Sequence, residues 1–245
     1  MSREFLKDNV RLRTDFSKTD QNMGVSPPPL QKPVPENAVI VALPKGCMPE
    51  FDLTKAIEKR RSRRTFKNEP LSMEGLSFLL WSTQGIREVL DYGHALRNVP
   101  SAGCRHSFET YLVVFNVKGL TKGIYRYLPL THQLLFISKP DNLEVKTSAA
   151  ALGQDFAGKA AVTFIWTTIP YRMEWRYGQA SYKVIALDAG HVCQNLYLAC
   201  EVIGCGTCAI AAYNQELMDN LLGVDGEDEF TVYVAPVGKI KISSE

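Results

Sequence analysis

The chain has 245 residues, of which 45% are hydrophobic and 22% are charged, and its formal net charge is +2. This size and composition are ordinary for a globular protein with a sizeable core, in one large domain or two small ones. The small net charge argues against nucleic acid or an acidic membrane surface as the main partner, so an electrostatic function has to come from a local cluster.

The start of the chain and the cysteines bear on its location. Residues 1–8 contain no apolar segment of the type found in secretory signals, and no apolar run is long enough to span a bilayer. The six cysteines lack the spacing of a disulfide framework, which favours free thiols in a reducing compartment. We therefore expect a cytoplasmic protein without a membrane partner.

Residues 1–50 hold seven of the thirteen prolines. Proline fixes φ and lacks an amide proton, so such a stretch does not form a helix and joins a sheet only at an edge. A disordered tail is one interpretation, but the stretch has more apolar side chains than a solvated tail needs. We expect residues 1–50 to be an extended arm, packed on this chain or on a partner subunit, ahead of a single domain over residues 51–245.

Helices and strands follow in an irregular order after residue 50, which favours an α+β fold over a doubly wound sheet. Asp52, Ser72 and Asn214 are typical helix caps, and Gly204 and Gly223 are typical helix ends. Strand-forming residues mark the segments between the helices. The patterns predict helices over residues 52–61, 72–83, 142–153, 182–203 and 215–222, and strands over residues 109–117, 123–128, 133–137, 160–169 and 230–237.

The longest predicted helix, residues 182–203, is apolar or small on almost every side. Ile185, Ala189, Val192 and Leu196 recur at helical spacing, and many positions between them are apolar as well. A helix of this kind is buried on all sides, either in a core or between two subunits.

The sharpest signal for chemistry is the basic run Lys-Arg-Arg-Ser-Arg-Arg at residues 59–64. A solvated helix face, cations that complement a helix C-terminus, and a nucleic-acid patch would each explain it. A fourth interpretation is a phosphate site, because guanidinium groups bind phosphate bidentately and a serine hydroxyl fits a remaining oxygen.

Two further stretches are rich in small residues, which would let the backbone approach a flat ligand closely. Residues 97–106 precede a predicted strand, and residues 204–212 follow the long helix. The second stretch contains Cys205 and Cys208 in a Cys-x-x-Cys motif. Redox cysteines of this type normally open a helix after a strand, so we interpret this pair as buried small residues.

The remaining motifs are less specific. The aromatic and basic stretch over residues 171–178 is either a surface loop or a lid over a ring system. No pair among the four histidines has metal-ligand spacing, and the chain lacks the glycine-rich motifs of dedicated nucleotide-binding loops. We therefore expect neither a metal site nor a Rossmann-type nucleotide site.

These stretches, in this order, resemble the nitroreductase superfamily and more closely its SagB/ThcOx-type branch, over nearly the whole chain. The proline-rich arm is also typical of that branch. The matching stretches are residues 60–66, 79–86, 99–103, 125–127, 187–196 and 236–238.

The resemblance implies one antiparallel sheet with helices on both sides, and an intertwined homodimer with FMN at the subunit interface. It implies that Arg60 and Ser62 hold the FMN phosphate, with Arg61 nearby. Arg64 would approach the N1/O2 edge of the flavin, where a cation stabilises the reduced ring. The other implied cofactor contacts are Pro100, Ser101, Ala102, Gly103, Thr207, Ala211 and Ala212 along the ring, and Lys239 or Lys241 at the phosphate.

The chain departs from the branch in two places. Azoline-oxidising members have a Lys-Tyr pair whose lysine is the proposed base, and this chain has Arg176-Tyr177 instead. Because arginine is almost never deprotonated, azoline oxidation is disfavoured, although both residues remain catalytic candidates. Ser107 stands where many members have proline. We expect variable loops over residues 88–98 and 171–181 to line the substrate pocket.

The leading hypothesis is an FMN-dependent oxidoreductase in which NADH or NADPH supplies hydride and a small electrophile, such as a quinone or a nitro compound, accepts it. No side chain has to form a covalent intermediate, because the protein supplies orientation and charge. The alternatives are an oxidase or dehydrogenase of a modified peptide or thioether that uses oxygen, a non-catalytic flavin-binding protein, and a nucleic-acid module built on the basic run.

Overall fold

The computed structural model describes residues 3–46 and 48–240, with a seven-stranded antiparallel sheet at its centre. The sheet order is β1-β6-β5-β4-β7-β9-β8, and β2 and β3 form a separate two-stranded ribbon. The strands are β1 (Ile40–Ala42), β2 (Ile86–Asp91), β3 (His94–Arg97), β4 (Phe108–Val114), β5 (Gly123–Leu128), β6 (Gln133–Ser138), β7 (Val162–Thr168), β8 (Cys205–Thr207) and β9 (Phe230–Lys239). The helices are α1 (Asn9–Arg13), α2 (Leu53–Lys59), α3 (Met73–Gln84), α4 (Leu143–Ala150), α5 (Tyr171–Tyr177), α6 (Ser181–Val202) and α7 (Gln215–Leu222).

Helices cover both faces of the sheet. Leu76 of α3 and Leu196 of α6 share one core with Trp166 of β7, whereas Met218 of α7 shares the other core with Ile165. The neighbours Ile165 and Trp166 enter opposite cores because successive side chains of a strand point to opposite faces. The expected α+β architecture, with an antiparallel sheet between helices, is confirmed.

Local capping sets several of the predicted helix boundaries. The Ser72 hydroxyl accepts a hydrogen bond from the Gly75 amide at 3.0 Å, and the Asn214 side chain accepts one from the Leu217 amide at 3.0 Å. Gly223 ends α7 in the left-handed region with φ of 73°, where glycine carries no steric penalty. The predicted starts of α3 and α7 and the predicted end of α7 are confirmed.

The long helix α6 is buried on one face only. Ile185, Ala189 and Leu196 lie in the core, but Leu187 is 54% exposed on the opposite face and His191 is exposed beside it. Burial on all sides within the core of one chain is therefore excluded, and burial of this face between two subunits remains a prediction. Within the described part of the chain, no helix is both long and apolar enough to cross a bilayer.

The N-terminal residues differ from the expected helix-free arm. Residues 3–18 form α1 and two single-turn 3-10 helices, because the prolines begin only at Pro27 and do not restrain this part. Asp15 caps one of the turns by accepting a hydrogen bond from the Ser17 amide at 3.1 Å. Farther along, β1 pairs with β6 at the edge of the sheet, as expected for a proline-rich stretch.

Two segments that were predicted as loops are regular. Residues 86–97 form the β2–β3 ribbon, and residues 171–177 form α5 with Arg172, Met173 and Trp175 buried. Pro170 stands at the start of α5, where its missing amide proton has no cost. Gly178, with φ of 49°, ends the helix. The surface-loop interpretation of residues 171–178 is wrong, because buried side chains anchor this segment as a helix.

A buried carboxylate joins the sheet, α5 and the N-terminal residues. Glu109 of β4 accepts hydrogen bonds from the Arg172 guanidinium at 2.6 Å and from the Lys32 backbone amide at 3.0 Å. Arg126 of β5 lies 3.9 Å from the other Glu109 oxygen and donates to the Pro33 carbonyl at 2.7 Å. The side chains of Glu109 and Arg172 are each 2% exposed, so their charges are compensated by one another and not by water.

The same N-terminal stretch has further anchors on the chain's own surface. Lys32 also forms an ion pair with Glu229. The indole of Trp175 donates to the Val25 carbonyl at 2.9 Å, and the Gln21 amide donates to the Trp175 carbonyl at 2.9 Å. Residues 21–33 are thus held against α5 and the sheet, while a domain boundary at residue 50 remains a prediction.

We expect Glu109→Gln to lower the free energy of unfolding by roughly 3–5 kcal/mol, because it leaves two buried arginines without a counter-charge. Urea denaturation followed by circular dichroism measures this change. Glu36→Gln, at an exposed position, is the matched control and should change stability by no more than about 0.5 kcal/mol. Equal stabilities of the two variants would contradict the assigned role of Glu109.

Candidate functional site

The arginine segment, residues 60–64, lies alongside β8 at the edge of the sheet. It leaves α2, whose start is capped by Asp52 through the Thr54 amide at 2.7 Å. Ser62 then forms a parallel bridge with Thr207 of β8, and the Arg63 amide donates to the Thr207 carbonyl at 2.8 Å. Backbone pairing therefore fixes the direction of the side chains in this segment.

Two glycines make room for this segment. Gly206 of β8 lies opposite Gly238 of β9 in the strand register. A Cβ atom on Gly206 would lie 2.5 Å from Arg63 Cγ, and one on Gly238 would lie 2.7 Å from Phe66 Cγ. Gly206 thus accommodates the side chain of Arg63, and Gly238 accommodates Phe66 two residues beyond the segment, which the sequence pattern did not indicate.

Tyr197 of α6 connects the arginine segment to the stretch after β8. Its hydroxyl accepts a hydrogen bond from the Ala209 amide at 2.8 Å and lies 3.0 Å from the Ser62 hydroxyl. The Arg60 guanidinium lies 5.4 Å from the centre of the Tyr197 ring, within reach of a cation–π interaction. Arg60, Ser62 and the stretch containing Thr207 are therefore brought together, and Tyr197 is a site residue that sequence reasoning missed.

One carboxylate of α6 acts on the arginine segment. Within residues 3–46 and 48–240, no ion pair joins an acidic side chain to Arg60, Arg61, Arg63 or Arg64. Burial raises the pKa of Glu201, whereas the charge of Arg63, a hydrogen bond from the Arg61 backbone and the charge of Arg60 oppose that shift. Among the described residues, the buried Arg63 Nε and Thr207 Oγ1 atoms have no hydrogen-bond partner. Guanidinium groups with hydroxyls on the same short segment suit a phosphate dianion.

The remaining basic residues that the resemblance assigns to the cofactor, at its phosphate or at the ring edge, have separate surroundings. Arg61 is exposed, and the Arg64 guanidinium lies 6.0 Å from the Phe156 ring centre. Lys239 donates to the Ile203 carbonyl at the end of α6 at 2.8 Å. Lys241 lies outside the described residues.

The cysteine pair near Thr207 is unsuited to redox chemistry. Cys205 and Cys208 are both buried, and burial raises the pKa of the Cys205 thiol to about 11. A thiol with this pKa is protonated at neutral pH and reacts poorly as a nucleophile. The interpretation as buried small residues is confirmed.

The 100–103 turn forms a second group of predicted contacts. The Ser101 hydroxyl accepts a hydrogen bond from the His106 amide at 3.0 Å, and the Asp188 carboxylate of α6 accepts one from the Ala102 amide at 3.3 Å. Burial raises the pKa of Asp188, although its bonds to Ser101 and Ala102 oppose the shift. Pro100 is exposed beside them. Asp188 is a second site residue that the sequence did not single out.

The backbone around Gly103 is unusual. Gly103, Cys104 and His106 have positive φ angles of 58°, 54° and 45°, and such conformations are costly for residues other than glycine. A Cβ atom on Gly103 would lie 2.6 Å from the Tyr177 hydroxyl and 2.8 Å from Arg176 Cδ. The catalytic candidates Arg176 and Tyr177 therefore lie directly against the 100–103 turn.

The two groups of contacts lie on opposite flanks of α6. Asp188 holds the 100–103 turn and Tyr197 holds the arginine segment. The two positions are nine residues apart in α6, which corresponds to about half a turn around the axis and roughly 14 Å along it. Within one chain, the exposed face of α6 separates the arginine segment from the 100–103 turn.

An apolar cleft of about 520 Å³ lies between α6 and β9. Ala211 and Tyr213 line it from the stretch after β8, and Ala186 and Gly190 line it from α6. Ala212 is exposed next to Ala211. A largely apolar cleft of this volume, with small residues on its walls, suits a flat organic ring.

The sequence profile of the Nitroreductase family matches residues 57–239. The chain belongs to the nitroreductase family. The matched range includes the arginine segment, the 100–103 turn and the stretch after β8.

Two related proteins have names that state a function. The chain is 29% identical over 190 residues to MJ1384 of Methanocaldococcus jannaschii, a candidate nitroreductase, covering 78% of this chain and 92% of the relative. It is 25% identical over 184 residues to the trifolitoxin-processing protein TfxB of Rhizobium leguminosarum bv. trifolii, covering 72% of this chain and 49% of TfxB. The chain thus spans about half the length of TfxB.

Solved structures agree with this assignment. A candidate nitroreductase of Ralstonia eutropha JMP134 is 26% identical with a TM-score of 0.69, over 88% of this chain and 98% of that chain. A chain of the Escherichia coli microcin synthetase McbBCD complex, solved with truncated pro-MccB17 bound, is 18% identical with a TM-score of 0.61, over 99% and 95% of the two chains. The likeness to TfxB and to this complex is consistent with the SagB/ThcOx-type branch.

We expect the turn that includes His106 to make this nitroreductase sensitive to acid. Burial, reinforced by the charge of Arg97, lowers the pKa of His106 from 6.5 to about 3. The unfolded chain therefore takes up a proton here at a higher pH than the folded chain. Above about pH 6.5, His106 does not reduce the free energy of unfolding. The free energy of unfolding then decreases as the pH falls towards 3, by at most about 1.4 kcal/mol per pH unit.

Urea unfolding between pH 4 and pH 7 (about the range that the shift spans) tests this expectation. His106→Gln should flatten the decline of stability towards low pH. Arg87→Gln, at an exposed position on the ribbon, is the control and should leave the decline unchanged. Parallel profiles for wild type and His106→Gln would rule out the assignment.

Proposed function

We propose that this protein is an FMN-dependent oxidoreductase that passes hydride from NADH or NADPH to a small electrophilic acceptor. The observation that carries the proposal is the arginine segment, whose guanidinium groups form no ion pair with the described residues. The segment also pairs Ser62 with Thr207, whose hydroxyl has no hydrogen-bond partner among those residues. Membership of the nitroreductase family supports the same cofactor class.

In this proposal Arg60 and Ser62 hold the FMN phosphate, with Arg61 and Lys239 nearby. Thr207, which the resemblance places along the ring, joins them at the phosphate because it pairs with Ser62. The bound flavin supplies the chemistry of accepting and donating hydride. Arg64 provides a positive charge at the N1/O2 edge of the ring. The chain's own task is to orient the two reactants against one ring and to keep water away from it.

We further propose that a second copy of the chain completes each site. The arginine segment and the 100–103 turn lie on opposite flanks of α6, so one FMN molecule does not reach both within a single chain. The α6 face between these flanks exposes Leu187 and the small residue Gly190. If two copies pack these faces together around a two-fold axis, the arginine segment of each copy meets the 100–103 turn of the other.

A second candidate function is the oxidation of a modified peptide with oxygen as the acceptor. The likeness to a trifolitoxin-processing protein and to a chain of a microcin synthetase favours it. Arg176 argues against it, because a guanidinium is a poor base in the position where the branch's azoline-oxidising members have lysine. This candidate predicts that neither NADH nor NADPH reduces the bound flavin.

We expect the purified protein to bind FMN in an equimolar ratio and to lose its flavin absorption when NADH or NADPH is added without oxygen. Arg60→Gln should weaken FMN binding about tenfold or more, because it removes a charge-assisted hydrogen bond to the phosphate. Arg87→Gln, at an exposed position on the ribbon, is the control. A protein that takes up no flavin after incubation with FMN would contradict the proposal.

We expect two defective variants to restore one site when they are combined. Arg60→Gln damages the phosphate side, and Gly103→Ala displaces Tyr177 from the 100–103 turn. In a hybrid dimer purified with two different tags, one site carries both substitutions and the other carries neither. The hybrid should therefore bind half an equivalent of FMN with wild-type affinity. If each site lay within one chain, no hybrid site would be intact and this recovery would not occur.

A further inference from the structure

A pair of arginines flanks Tyr177 beside the 100–103 turn. The Arg176 guanidinium lies 5.5 Å from the centre of the Tyr177 ring, and the Arg11 guanidinium of α1 lies 5.9 Å from it. Arg176 also packs against Gly103, because a Cβ atom on Gly103 would lie 2.8 Å from Arg176 Cδ. Helix α1 thus adds a cation to the same surface as α5 and the turn.

The positive charge at this surface is largely uncompensated. Arg176 forms no ion pair with any described residue, and its side chain donates one hydrogen bond, at 3.2 Å, to the neutral amide of Gln21. Arg11 pairs with Asp8, but both side chains are well exposed, so water weakens that pair. Buried Arg105 lies 4.5 Å from the Trp175 ring and likewise has no ion pair with the residues described.

The acidic side chains nearby are already engaged elsewhere. Asp20 accepts a hydrogen bond from Tyr171 at 2.6 Å, and Asp91 pairs with His94 at 2.8 Å. Burial, and next the charge of Arg176, lowers the pKa of Arg105. Asp91 reaches Arg105 through His94, whose Nε2 atom lies 2.8 Å from an Arg105 nitrogen, and its charge partly offsets the effect of Arg176 on Arg105. Arg176 itself has no carboxylate within ion-pair distance among the described residues.

We propose that Arg176, assisted by Arg11, binds an anionic group of the molecule that approaches the 100–103 turn. The inference rests on the proposed function, in which this turn lies along the flavin. A guanidinium fork binds a carboxylate or phosphate through two parallel hydrogen bonds. The group is either a carboxylate of the acceptor or a phosphate of the reduced dinucleotide, and both have the same chemistry at this surface.

Arg176 is a specificity-determining residue in this proposal. It replaces the lysine of azoline-oxidising relatives with a group that binds anions and does not exchange protons. The N-terminal residues share the task, because Arg11 supplies the second cation and Gln21 orients Arg176. Arg11 and Gln21 thus bring the N-terminal residues to the substrate site.

Isothermal titration of the full chain with 4-nitrobenzoate and with 4-nitrobenzamide tests the acceptor as the source of the anion. The two probes have nearly the same shape and differ in charge. We expect wild type to bind the carboxylate about tenfold more tightly, and Arg176→Gln to abolish the difference. Arg176→Lys should retain part of it, because the charge remains but the fork is lost. The control Arg87→Gln should retain all of it.

Titration with NADH and NADPH tests the dinucleotide as the source. One supporting result has two parts: Arg176→Gln binds the dinucleotide more weakly, and wild type binds the two nitro probes equally. This result would assign the anionic group to the dinucleotide. If Arg176→Gln alters neither the preference between the nitro probes nor dinucleotide binding, the proposal is overturned. Titrations are run with and without added FMN. A failure to bind flavin would contradict the proposed function, and it is thereby distinguished from a failure of Arg176 to bind an anion.

Discussion

The buried Glu109 carboxylate holds together parts of the chain that are far apart in sequence. It lies in β4, next to the centre of the sheet, and receives a guanidinium from α5 and a backbone amide from the N-terminal residues. Arg126 completes the arrangement from β5. A buried pair of this type contributes little net stability over an apolar equivalent, but breaking it leaves a charge in the core. Its main effect is to specify one arrangement of these segments.

The candidate site depends on this arrangement through α5. Arg172, which Glu109 fixes, precedes Arg176 by one helical turn, so both belong to the same rigid helix. The buried Arg105 also donates to the Arg172 carbonyl, at 3.0 Å, and Arg105 directly follows the strained 103–104 backbone. The position of Tyr177 against Gly103 is thus set from both sides by one anchored helix. The strain at the turn is maintained by these surrounding contacts.

Features with local causes could be predicted from the sequence. Asn214 and Gly223 mark the ends of α7 through contacts within a few residues, and the arginine segment is recognisable because its basic residues are consecutive. Asp188 and Tyr197 could not be assigned roles, because nothing in the sequence distinguishes them from other polar residues of α6 such as Gln194. Their partners lie 86 and 135 residues away in sequence. Helix α5 was missed because its aromatic and basic composition suggested a loop, whereas burial of three of its side chains decides its conformation.

The N-terminal anchors have a consequence for the order in which the chain acquires its structure during synthesis. Lys32 bonds to Glu109, 77 residues later, and to Glu229, 197 residues later. A ribosome delivers these partners in that order, so Lys32 has its first contact once β4 is made but lacks its ion-pair partner until residue 229 is made. Contacts of such long sequence separation form slowly, so this anchor of the arm is completed late. A nascent chain that stalls before Glu229 would therefore present Lys32 without its ion-pair partner and the sheet without β9, the strand between β7 and β8.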